Sequence, residues 1–599
     1  MGFKKLWEKY ENWIGTAVLL LALMVFVGLS YDYYYDLNDD VLMKDILSGV
    51  YTGEPEGHNI QMLWLISAFV SLLYRAVRQL PWYGLFLCFC QYGSFALIIH
   101  RSLEICRTKK GKIILLLTEG LLFAGLYLNH LTAVQYTLVC TLIASAATFL
   151  FMTTDITLPA EKFIRKNTGA VLLVSLAYLI RSEMLLLVLP MICAVGIIKW
   201  GSEKKIFTWE NARKYFTVIG AILVGILIGQ ISHMIAYGSD EWRKFTEYFD
   251  NRTELYDFQE LPEYGANREF YDSIGLTESE RELLSNYNFG LDEEIDEKLL
   301  GEIAVYAATT RSEETPFLVN LKKSFGNYVR RTLYGPSQNE SDYPWNYVIL
   351  FSYMAVFVTA LLMGEEKLWV KVLQIGWKLV FLGAVRSSLW MYIIMRGRDP
   401  ARIMHSLYLM ELCILGAMLL LQCGQLAGKG KRGYGVLAVG AGYFMFSLWI
   451  LPWSISVTEQ DLSLKAENNV PYQKLYRYLS SEENKENFYF IDVYSSVSYT
   501  EKMFAEVDNS LDNYDIMGGW ACKSPLWRKK LAAFGIDSME QALTNKDDVY
   551  YVQEAGADTS WLKDYYADRD VSITLELTET VGDDFEIWKI RTMRLGKSG

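Results

Sequence analysis

The sequence predicts a polytopic α-helical membrane protein with about eleven spans, an outer helical loop domain and a C-terminal extracytoplasmic α/β domain. Three observations predict this fold class. The 599-residue chain combines 52% hydrophobic with 21% charged residues, a mixture typical of membrane spans interleaved with water-exposed parts. Long apolar runs recur along it. Two long blocks are strongly acidic, whereas the short connecting loops are basic.

Nine apolar runs of 16 to 23 residues are about as long as a membrane span, which takes roughly 17–20 residues. They are Ile14–Leu29, Trp82–Ile99, Ile113–Leu128, Leu131–Met152, Tyr215–Tyr237, Tyr347–Leu362, Leu379–Met395, Ile403–Gln422 and Tyr434–Pro452. No small-residue cleavage site follows the first run, which is typical of a retained signal anchor and not of a cleaved signal peptide.

Charge indicates which parts lie outside. Residues 238–342 hold 23 acidic and 11 basic residues, and residues 454–599 hold 26 acidic and 16 basic residues. The net charge of the whole chain is −12, so the remainder is basic. Short basic loops such as Arg101–Lys112, Lys199–Lys214 and Lys429–Arg432 are expected on the cytoplasmic side. The acidic blocks are therefore expected outside a plasma membrane, with the N-terminus cytoplasmic and the C-terminus extracytoplasmic.

These patterns divide the chain into four parts. Residues 1–237 form an N-terminal membrane domain with a first outer loop at 30–60, and residues 238–344 form an acidic outer loop domain. Residues 345–453 form C-terminal membrane helices, and residues 454–599 form the α/β domain. Runs rich in aromatic and β-branched residues predict its strands at Phe488–Ile491, Val549–Val552, Ile573–Leu575 and Phe585–Trp588.

Two further segments decide whether every basic loop can lie inside. Gln61–Gln79 is apolar, but its crossing would export the next basic loop, so we expect a helix along the outer interface at 61–79. Gly169–Ile198 has basic residues on both flanks, so we expect two short helices there. Arg181 and Glu183 then stand at an outer tip, as candidate site residues or as partners of each other. The alternative is that Gln61–Gln79 spans and Gly169–Ile198 is one long helix.

The first outer loop is rich in aspartate. Within 14 residues it holds Asp32, Asp36, Asp39, Asp40 and Asp45. Asp39 and Asp40 are adjacent, so on a helix their side chains diverge by about 100°. One of them can act as a general base while the other binds a metal or orients the base. The alternative is a solvated acidic loop. His58 follows in a glycine-containing turn, where a lone histidine is more often structural.

A second group of candidates is cationic. Arg386 lies inside a predicted span, where a charge is costly and usually faces a polar cavity. Three arginines stand at one outer membrane edge, against the positive-inside trend: Arg396, Arg398 and Arg402. His405 lies one turn beyond Arg402 on the same face. Because a guanidinium matches phosphate oxygens, this edge predicts a lipid phosphate site. Snorkelling of the arginine stems, or pairing with Asp399, would explain the same pattern.

Other mechanisms lack support in the sequence. There is no Walker-type phosphate loop, no Gly-x-Ser-x-Gly element and no Cys/His spacing typical of zinc. The acidic outer blocks argue against nucleic acid as a partner. Of the eight cysteines only Cys522 falls in a predicted water-exposed block, so no disulfide framework is expected.

The arrangement resembles the GT-C glycosyltransferases, multi-pass bacterial and other membrane enzymes that use polyprenyl-phosphate sugars. Asp39 and Asp40 match the acidic first-loop motif of that family, and Gln61–Trp82 resembles the juxtamembrane helix that follows it. The segment Asp515–Trp520 also resembles the tails of bacterial members. The resemblance covers the general plan of the whole chain, although the large block at 238–344 departs from the simplest members.

The resemblance implies transfer of a sugar from a polyprenyl-phosphate donor to a cell-envelope glycan, lipid or protein acceptor at the outer membrane face, with inversion. It implies an aspartate base, with Asp39 favoured as base and Asp40 as acceptor or metal ligand, and a divalent metal (Mg or Mn) in many members. The lipid phosphate would dock near Arg396, Arg398 and Arg402, with Arg181 and Arg386 as further donor-site candidates.

Two other functions share part of the pattern. A polysaccharide polymerase or ligase of the O-antigen type has many spans, a large outer loop and arginines for a lipid pyrophosphate, but usually lacks a separate C-terminal α/β domain. A lipid or glycan transporter needs a polar path through the bilayer. The charged residues Glu119, Arg386 and Glu411 are few for such a path.

Overall fold

The computed structural model describes residues 3–314, 316–338, 341–363, 365–426, 431–505 and 509–593. Lys429 of the predicted basic loop and residues 594–599 of the predicted C-terminal domain lie outside the described residues. The described chain is mainly helical, with a five-stranded sheet near its C-terminal end. The predicted class of helical membrane protein with a C-terminal α/β domain is confirmed.

The N-terminal part consists of nine helices and two very short strands. In chain order they are α1 (Phe3–Ser30), β1 (Tyr34–Tyr35), α2 (Asn38–Ser48), α3 (Trp64–Ala76), α4 (Trp82–Ile105), α5 (Lys109–Thr132), β2 (Ala133–Val134), α6 (Tyr136–Thr153), α7 (Ala160–Ile180), α8 (Ser182–Trp200) and α9 (Trp209–Ala236). Helix α6 is almost wholly buried and packs against α4, α7 and α8, so its first residue, Tyr136, lies in the middle of the bundle.

The acidic block that is predicted to lie outside, called the outer block here, is helical, and the second membrane part follows it. The outer block has α10 (Asp240–Thr253), α11 (Arg268–Ile274), α12 (Glu278–Ser285), α13 (Glu297–Glu314) and α14 (Phe317–Leu333). The membrane part has α15 (Trp345–Leu362), α16 (Leu368–Met395), α17 (Ala401–Leu426) and α18 (Lys431–Leu479). Helix α18 continues through the predicted domain boundary at 453/454, and the positions of the predicted boundaries stay predictions.

Eleven helices of the described chain are long and apolar enough to cross a membrane: α1, α4 to α9 and α15 to α18. Helix α3 is apolar but has only 13 residues, too few for a span. Its position along the outer interface stays a prediction. The segment Gly169–Ile198 breaks at Arg181, whose backbone is extended (φ −155°, ψ 101°), into α7 and α8. Two helices are therefore confirmed there, and the alternative of one long helix is wrong.

The C-terminal sheet is mixed. Its elements in chain order are β3 (Phe488–Ile491), β4 (Tyr514–Ile516), α19 (Pro525–Ala533), α20 (Met539–Asn545), β5 (Val549–Glu554), α21 (Ser560–Ala567), β6 (Ile573–Val581) and β7 (Phe585–Thr592). The strand order is β4-β3-β5-β7-β6, with β3 parallel to β4 and β5, and β7 antiparallel to β5 and β6. The four predicted strands are present. The fifth strand, β4, is not predicted, because three residues are too few to show the alternation of apolar and polar side chains that indicates a strand.

Candidate active site

The first outer loop is held against the turn between α5 and α6. Strand β1 pairs with β2 in parallel, with Tyr34 opposite Ala133 and Tyr35 opposite Val134. The backbone N–H of Asp36 then donates to Val134 O at 2.9 Å. Helix α2 starts two residues later, so Asp39 and Asp40 lie in its first turn. A helix N-terminus favours negative charge, which suits this position for two carboxyl groups.

Asp40 points into the protein. Its side chain is fully buried, and its Oδ1 accepts hydrogen bonds from Tyr83 OH at 2.9 Å and from the Tyr136 N–H at 3.4 Å. Its Oδ2 has no hydrogen-bond partner among the described residues. Burial raises the pKa of Asp40 well above the ordinary aspartate value, against the lowering effect of the Tyr83 hydrogen bond. Through these two hydrogen bonds Asp40 anchors α2 on α4 and α6.

Asp39 points the other way, as expected for neighbours on a helix. Its side chain is half-buried, and Oδ1 accepts a hydrogen bond from the indole N–H of Trp520 at 3.0 Å. Its Oδ2 makes no hydrogen bond with another described residue. The adjacent pair is thus split into one internal carboxyl group and one accessible carboxylate beneath the C-terminal domain.

The other aspartates of the loop differ from this pair because each contacts a lysine. Asp32 pairs with Lys502 at 2.6 Å, Asp36 with Lys465 at 3.3 Å and Asp45 with Lys44 at 2.6 Å. Within the described part of the chain, neither Asp39 nor Asp40 has a cationic partner within salt-bridge distance. A uniformly solvated acidic loop would not separate its members in this way.

Arg181 is held on Tyr136, the residue whose backbone N–H contacts Asp40. At the break between α7 and α8, its guanidinium stacks over the ring of Tyr136 (4.6 Å to the centroid) and donates to the Tyr136 hydroxyl. Burial lowers the pKa of Arg181, but Tyr136, Glu183 and Asp39 raise it more, so the net shift is upward. No ion pair between Arg181 and Glu183 forms in the described structure; Glu183 Oε1 accepts a hydrogen bond from Ser182 at 3.0 Å instead.

The three arginines at the outer edge have different surroundings. Arg398 pairs with Asp257 at 2.5 Å, and Arg396 lies over the rings of Phe258 and Tyr392, each centroid 5.0 Å away. The half-buried guanidinium of Arg402 has no hydrogen bond or ion pair with another described residue. Burial raises the pKa of Asp36, and Arg402 is one of the cations that counter this rise, so its charge reaches the first loop. Arg402 is the arginine of this set for which the described residues provide no partner and whose charge acts on Asp36.

Asp399 and His405 are held by the protein around Arg402. Asp399 pairs with Arg331 of α14, which also pairs with Asp342 at 2.6 Å. The carboxylate of Asp399 is therefore bound to the outer block and not to Arg396, Arg398 or Arg402. His405 Nδ1 lies 2.8 Å from His130 Nε2, and His405 Nε2 lies 2.6 Å from Ser341 O. His405 is therefore satisfied without a ligand.

Arg386 and His58 also have protein partners. The buried Arg386 donates to Glu411 Oε2 at 2.8 Å and to Tyr328 OH at 2.6 Å, which accounts for its charge inside the span without a ligand. His58 contacts Glu56 Oε1 at 2.8 Å and stacks on Trp242. Burial alone would raise the pKa of Glu56, but its hydrogen bonds and charge interaction with His58 lower it to about 2.

A metal ion does not fit the donors at this site. Among the described residues there is no group of three or more His, Cys, Asp or Glu side chains placed to hold one. Two groups contact Asp40, the Tyr83 hydroxyl and the Tyr136 N–H, and both donate a hydrogen bond to it. A metal cation needs oxygen atoms that accept, so these two groups do not complete a cation site. The assignment of Asp40 as a metal ligand stays a prediction.

Trp520 is the site residue that sequence reasoning did not assign. It follows Gly518 and Gly519, where the backbone makes close contacts. A Cβ on Gly518 would lie 1.8 Å from Tyr287 O, and Gly519 has a φ of +90°. Both glycines are thus required for the turn that brings Trp520 over Asp39. The only indication of this residue in the sequence is the Gly-Gly-Trp at the end of the segment Asp515–Trp520.

Comparison with known proteins leaves the family open. No protein-family model matches the sequence, and no curated protein matches it. Among solved structures, the crystal structure of ArnT from Cupriavidus metallidurans in the apo state is similar, with a TM-score of 0.39 and 10% sequence identity. The superposition covers 96% of this chain and 98% of that one. At this TM-score the likeness contributes nothing to the assignment of function, which depends on the site itself.

Proposed function

We propose that the protein is a GT-C-type membrane glycosyltransferase that moves a sugar from a polyprenyl-phosphate donor to a cell-envelope acceptor on the outer membrane face. The observation that supports this best is that the adjacent residues Asp39 and Asp40 differ in exposure and in hydrogen-bond partners. Asp39 is accessible, lacks a cationic partner among the described residues, and is oriented by Trp520. Asp40 is buried beneath it. Asp39 is thus placed to act as a base, whereas Asp40 holds α2 against α4 and α6.

Asp39 is proposed as the general base. One carboxylate oxygen is held by Trp520, and the other is free to accept the proton of an acceptor hydroxyl. The hydroxyl oxygen attacks the anomeric carbon as its proton passes to Asp39. The bond between that carbon and the phosphate oxygen breaks, and polyprenyl phosphate leaves with the electron pair. A single displacement inverts the configuration and needs no covalent enzyme intermediate.

Arg402 and Arg181 are proposed to stabilise the phosphate. Negative charge grows on the phosphate as it leaves, so a preorganised guanidinium lowers the barrier. The Arg402 guanidinium has no hydrogen bond or ion pair with the described residues, and its charge acts on Asp36 of the first loop. Arg181 is already fixed by Tyr136, on the side of the site where its charge acts on Asp39. Arg396 and Arg398 are proposed to contribute less to phosphate binding, because Arg396 lies over two aromatic rings and Arg398 pairs with Asp257.

The alternatives fit the site less well. For the transporter, two of the three charged residues expected along its path neutralise each other, since Arg386 pairs with Glu411. For the O-antigen type polymerase or ligase, the C-terminal sheet domain is not expected to reach the first loop. Here Trp520 contacts Asp39, and the Tyr35 N–H donates to Glu501 O at 3.0 Å.

The direct test is a transfer assay. Purified full-length protein in lipid bilayers receives a radiolabelled polyprenyl-phosphate sugar and an envelope extract as acceptor source. We expect label to move into the extract and polyprenyl phosphate to be released in equal amount. Turnover of a polyprenyl-pyrophosphate glycan offered in parallel, with release of polyprenyl pyrophosphate and no turnover of the polyprenyl-phosphate sugar, would identify the polymerase or ligase. Movement of intact labelled donor across the bilayer without transfer would identify a transporter.

A further inference from the structure

A large cavity lies inside the helical bundle, away from Asp39. Its volume is about 680 Å³, within the usual range for small-molecule sites. Its walls come from α4, α5, α6, α17 and α18. Most of the lining is apolar, including Phe95, Leu115, Phe123, Leu419 and Val439. Along α5 it extends from Lys109 to Tyr127, about 27 Å of helix, which is close to the thickness of the hydrocarbon core.

The two ends of this cavity have opposite character. One end is formed by the loop before α5 and its first turn, where three exposed basic side chains line the opening: Arg107, Lys109 and Lys110. None of these three side chains has a hydrogen bond or ion pair with another described residue. The other end is closed by Tyr127 and Trp345, which are 1% and 3% exposed. The cavity therefore has a cationic mouth and an apolar body.

One acidic group lines the cavity wall. Glu119 is nine-tenths buried, and its Oε2 has no hydrogen-bond partner among the described residues. It lies ten residues beyond Lys109, about 15 Å deeper along the helix. At that distance it does not neutralise the basic mouth, which keeps its attraction for anions.

We propose that the cavity binds one anionic phospholipid, with its phosphate at Arg107, Lys109 and Lys110 and its acyl chains in the apolar body. Basic openings between membrane helices on the cytoplasmic side suit anionic headgroups, and the Arg101–Lys112 loop is expected on that side. The start of α5, with Thr108 capping Gly111, adds a favourable helix dipole.

This lipid is distinct from the proposed sugar donor. The donor needs its phosphate near Arg402 and Asp39, which lie toward the opposite end of the bundle, beyond Trp345. Trp345 stacks on His405, only one turn from Arg402. The two sites use different charges at different ends, so the inference does not rest on the proposed function.

The first test removes the charge at the mouth. Purified full-length protein in detergent is titrated with phosphatidylglycerol or phosphatidylcholine, and retained lipid is counted by native mass spectrometry. Wild-type protein should retain one phosphatidylglycerol in preference to phosphatidylcholine. The Lys109→Gln/Lys110→Gln variant should bind it roughly 25-fold more weakly, about fivefold for each lysine near a membrane surface. Lys162→Gln/Lys166→Gln, which neutralises two exposed lysines at the start of α7, should match wild type.

The second test fills the apolar body. Gly416 lines the cavity, and an added Cβ would meet nothing within 4 Å, so Gly416→Leu occupies the space without backbone strain. This variant should lose the retained lipid. Gly376→Leu is the control, because Gly376 in α16 has equally open space but does not line the cavity.

Three results would overturn the proposal. They are equal retention of the two lipids by wild type, unchanged phosphatidylglycerol affinity in Lys109→Gln/Lys110→Gln, and undiminished retention in Gly416→Leu. If excess inorganic phosphate displaces the lipid completely, the mouth is a phosphate site and the chains lie outside the cavity. Both glycine variants should elute as monodisperse protein, so loss of lipid in one of them alone reports on the cavity.

Discussion

The indole N–H of Trp520 donates a hydrogen bond to Asp39 Oδ1 at 3.0 Å, across a sequence separation of 481 residues. The C-terminal domain thereby contacts the residue proposed as base. Neighbouring contacts reinforce this docking, since Lys502 pairs with Asp32 and Lys44 with Glu501. The domain is consequently part of the active site in this account and not an appended module.

Removal of the indole donor should impair transfer. Trp520→Phe keeps an aromatic ring over Asp39 but loses the hydrogen bond, and bonds to charged groups contribute about 1.5–3 kcal/mol. We expect the rate of sugar transfer to fall roughly 10- to 100-fold with little change in protein yield. Trp588→Phe is the control, because Trp588 also donates to a carboxylate (Glu586, 3.3 Å) but lies far from the site. Equal activity of the two variants would exclude Trp520 from catalysis.

The outer arginines should contribute unequally to donor affinity. Arg402→Ala should weaken binding of a polyprenyl-phosphate sugar by roughly 10- to 150-fold, the value of one charge-assisted contact of about 1.5–3 kcal/mol. Arg398→Ala should weaken it less than about threefold, because Asp257 already holds that guanidinium. Donor affinity measured by equilibrium binding in nanodiscs checks the ranking. A greater loss in Arg398→Ala than in Arg402→Ala would reverse the assignment.

Docking of the C-terminal domain should weaken as pH rises. Burial and the nearby carboxylates of Asp45 and Glu501 raise the pKa of Asp512 to about 7, against Lys530 and Lys44. The pKa is raised on folding from about 3.9. The protonated form therefore contributes stability at low pH, and this contribution is lost as pH rises from about 4 through 7.

Hydrogen exchange measures this effect. The Asp512 N–H donates to Val50 O at 3.1 Å, so segment 510–516 should exchange faster at pH 8.5 than at pH 5.5, after correction for intrinsic exchange. Asp512→Asn should remove the dependence. Asp547→Asn, at an exposed pair with Arg591, should keep it. Identical protection of wild type at both pH values would contradict the assignment to Asp512.

Membrane orientation has a labelling test. In a background without native cysteines, Ser273→Cys in the outer block and Ser560→Cys in the C-terminal domain are exposed sites. Both should react with an impermeant thiol reagent on intact cells. Thr157→Cys, exposed between α6 and α7, should react only after permeabilisation. The reverse pattern would place Asp39 inside and remove the proposed outer-face chemistry.

Much of the architecture was readable from local patterns. The eleven apolar helices, the break at Arg181 and four of the five strands of the C-terminal sheet follow from hydrophobicity, charge and β propensity, which act over a few residues. The partners of the charged residues cannot be predicted from such local patterns. The sequence makes Arg386 a ligand candidate, because its partner, Glu411, lies in another helix and no local pattern reveals the pair. The contact between Trp520 and Asp39 likewise depends on docking of distant segments, which no local pattern encodes.

The central claim is tested most directly by sugar transfer in Asp39→Asn. Asparagine keeps the shape and the hydrogen bond to Trp520 but cannot accept a proton at neutral pH. Transfer should fall by about 10²–10⁴, with donor binding unchanged. Asp40→Asn should retain transfer within about tenfold, because Asp40 is buried and its Oδ1 is held by Tyr83 and Tyr136, out of reach of the acceptor. Asp32→Asn should match wild type. Full transfer in Asp39→Asn, or equal small losses in all three variants, would contradict the assignment of Asp39 as the base.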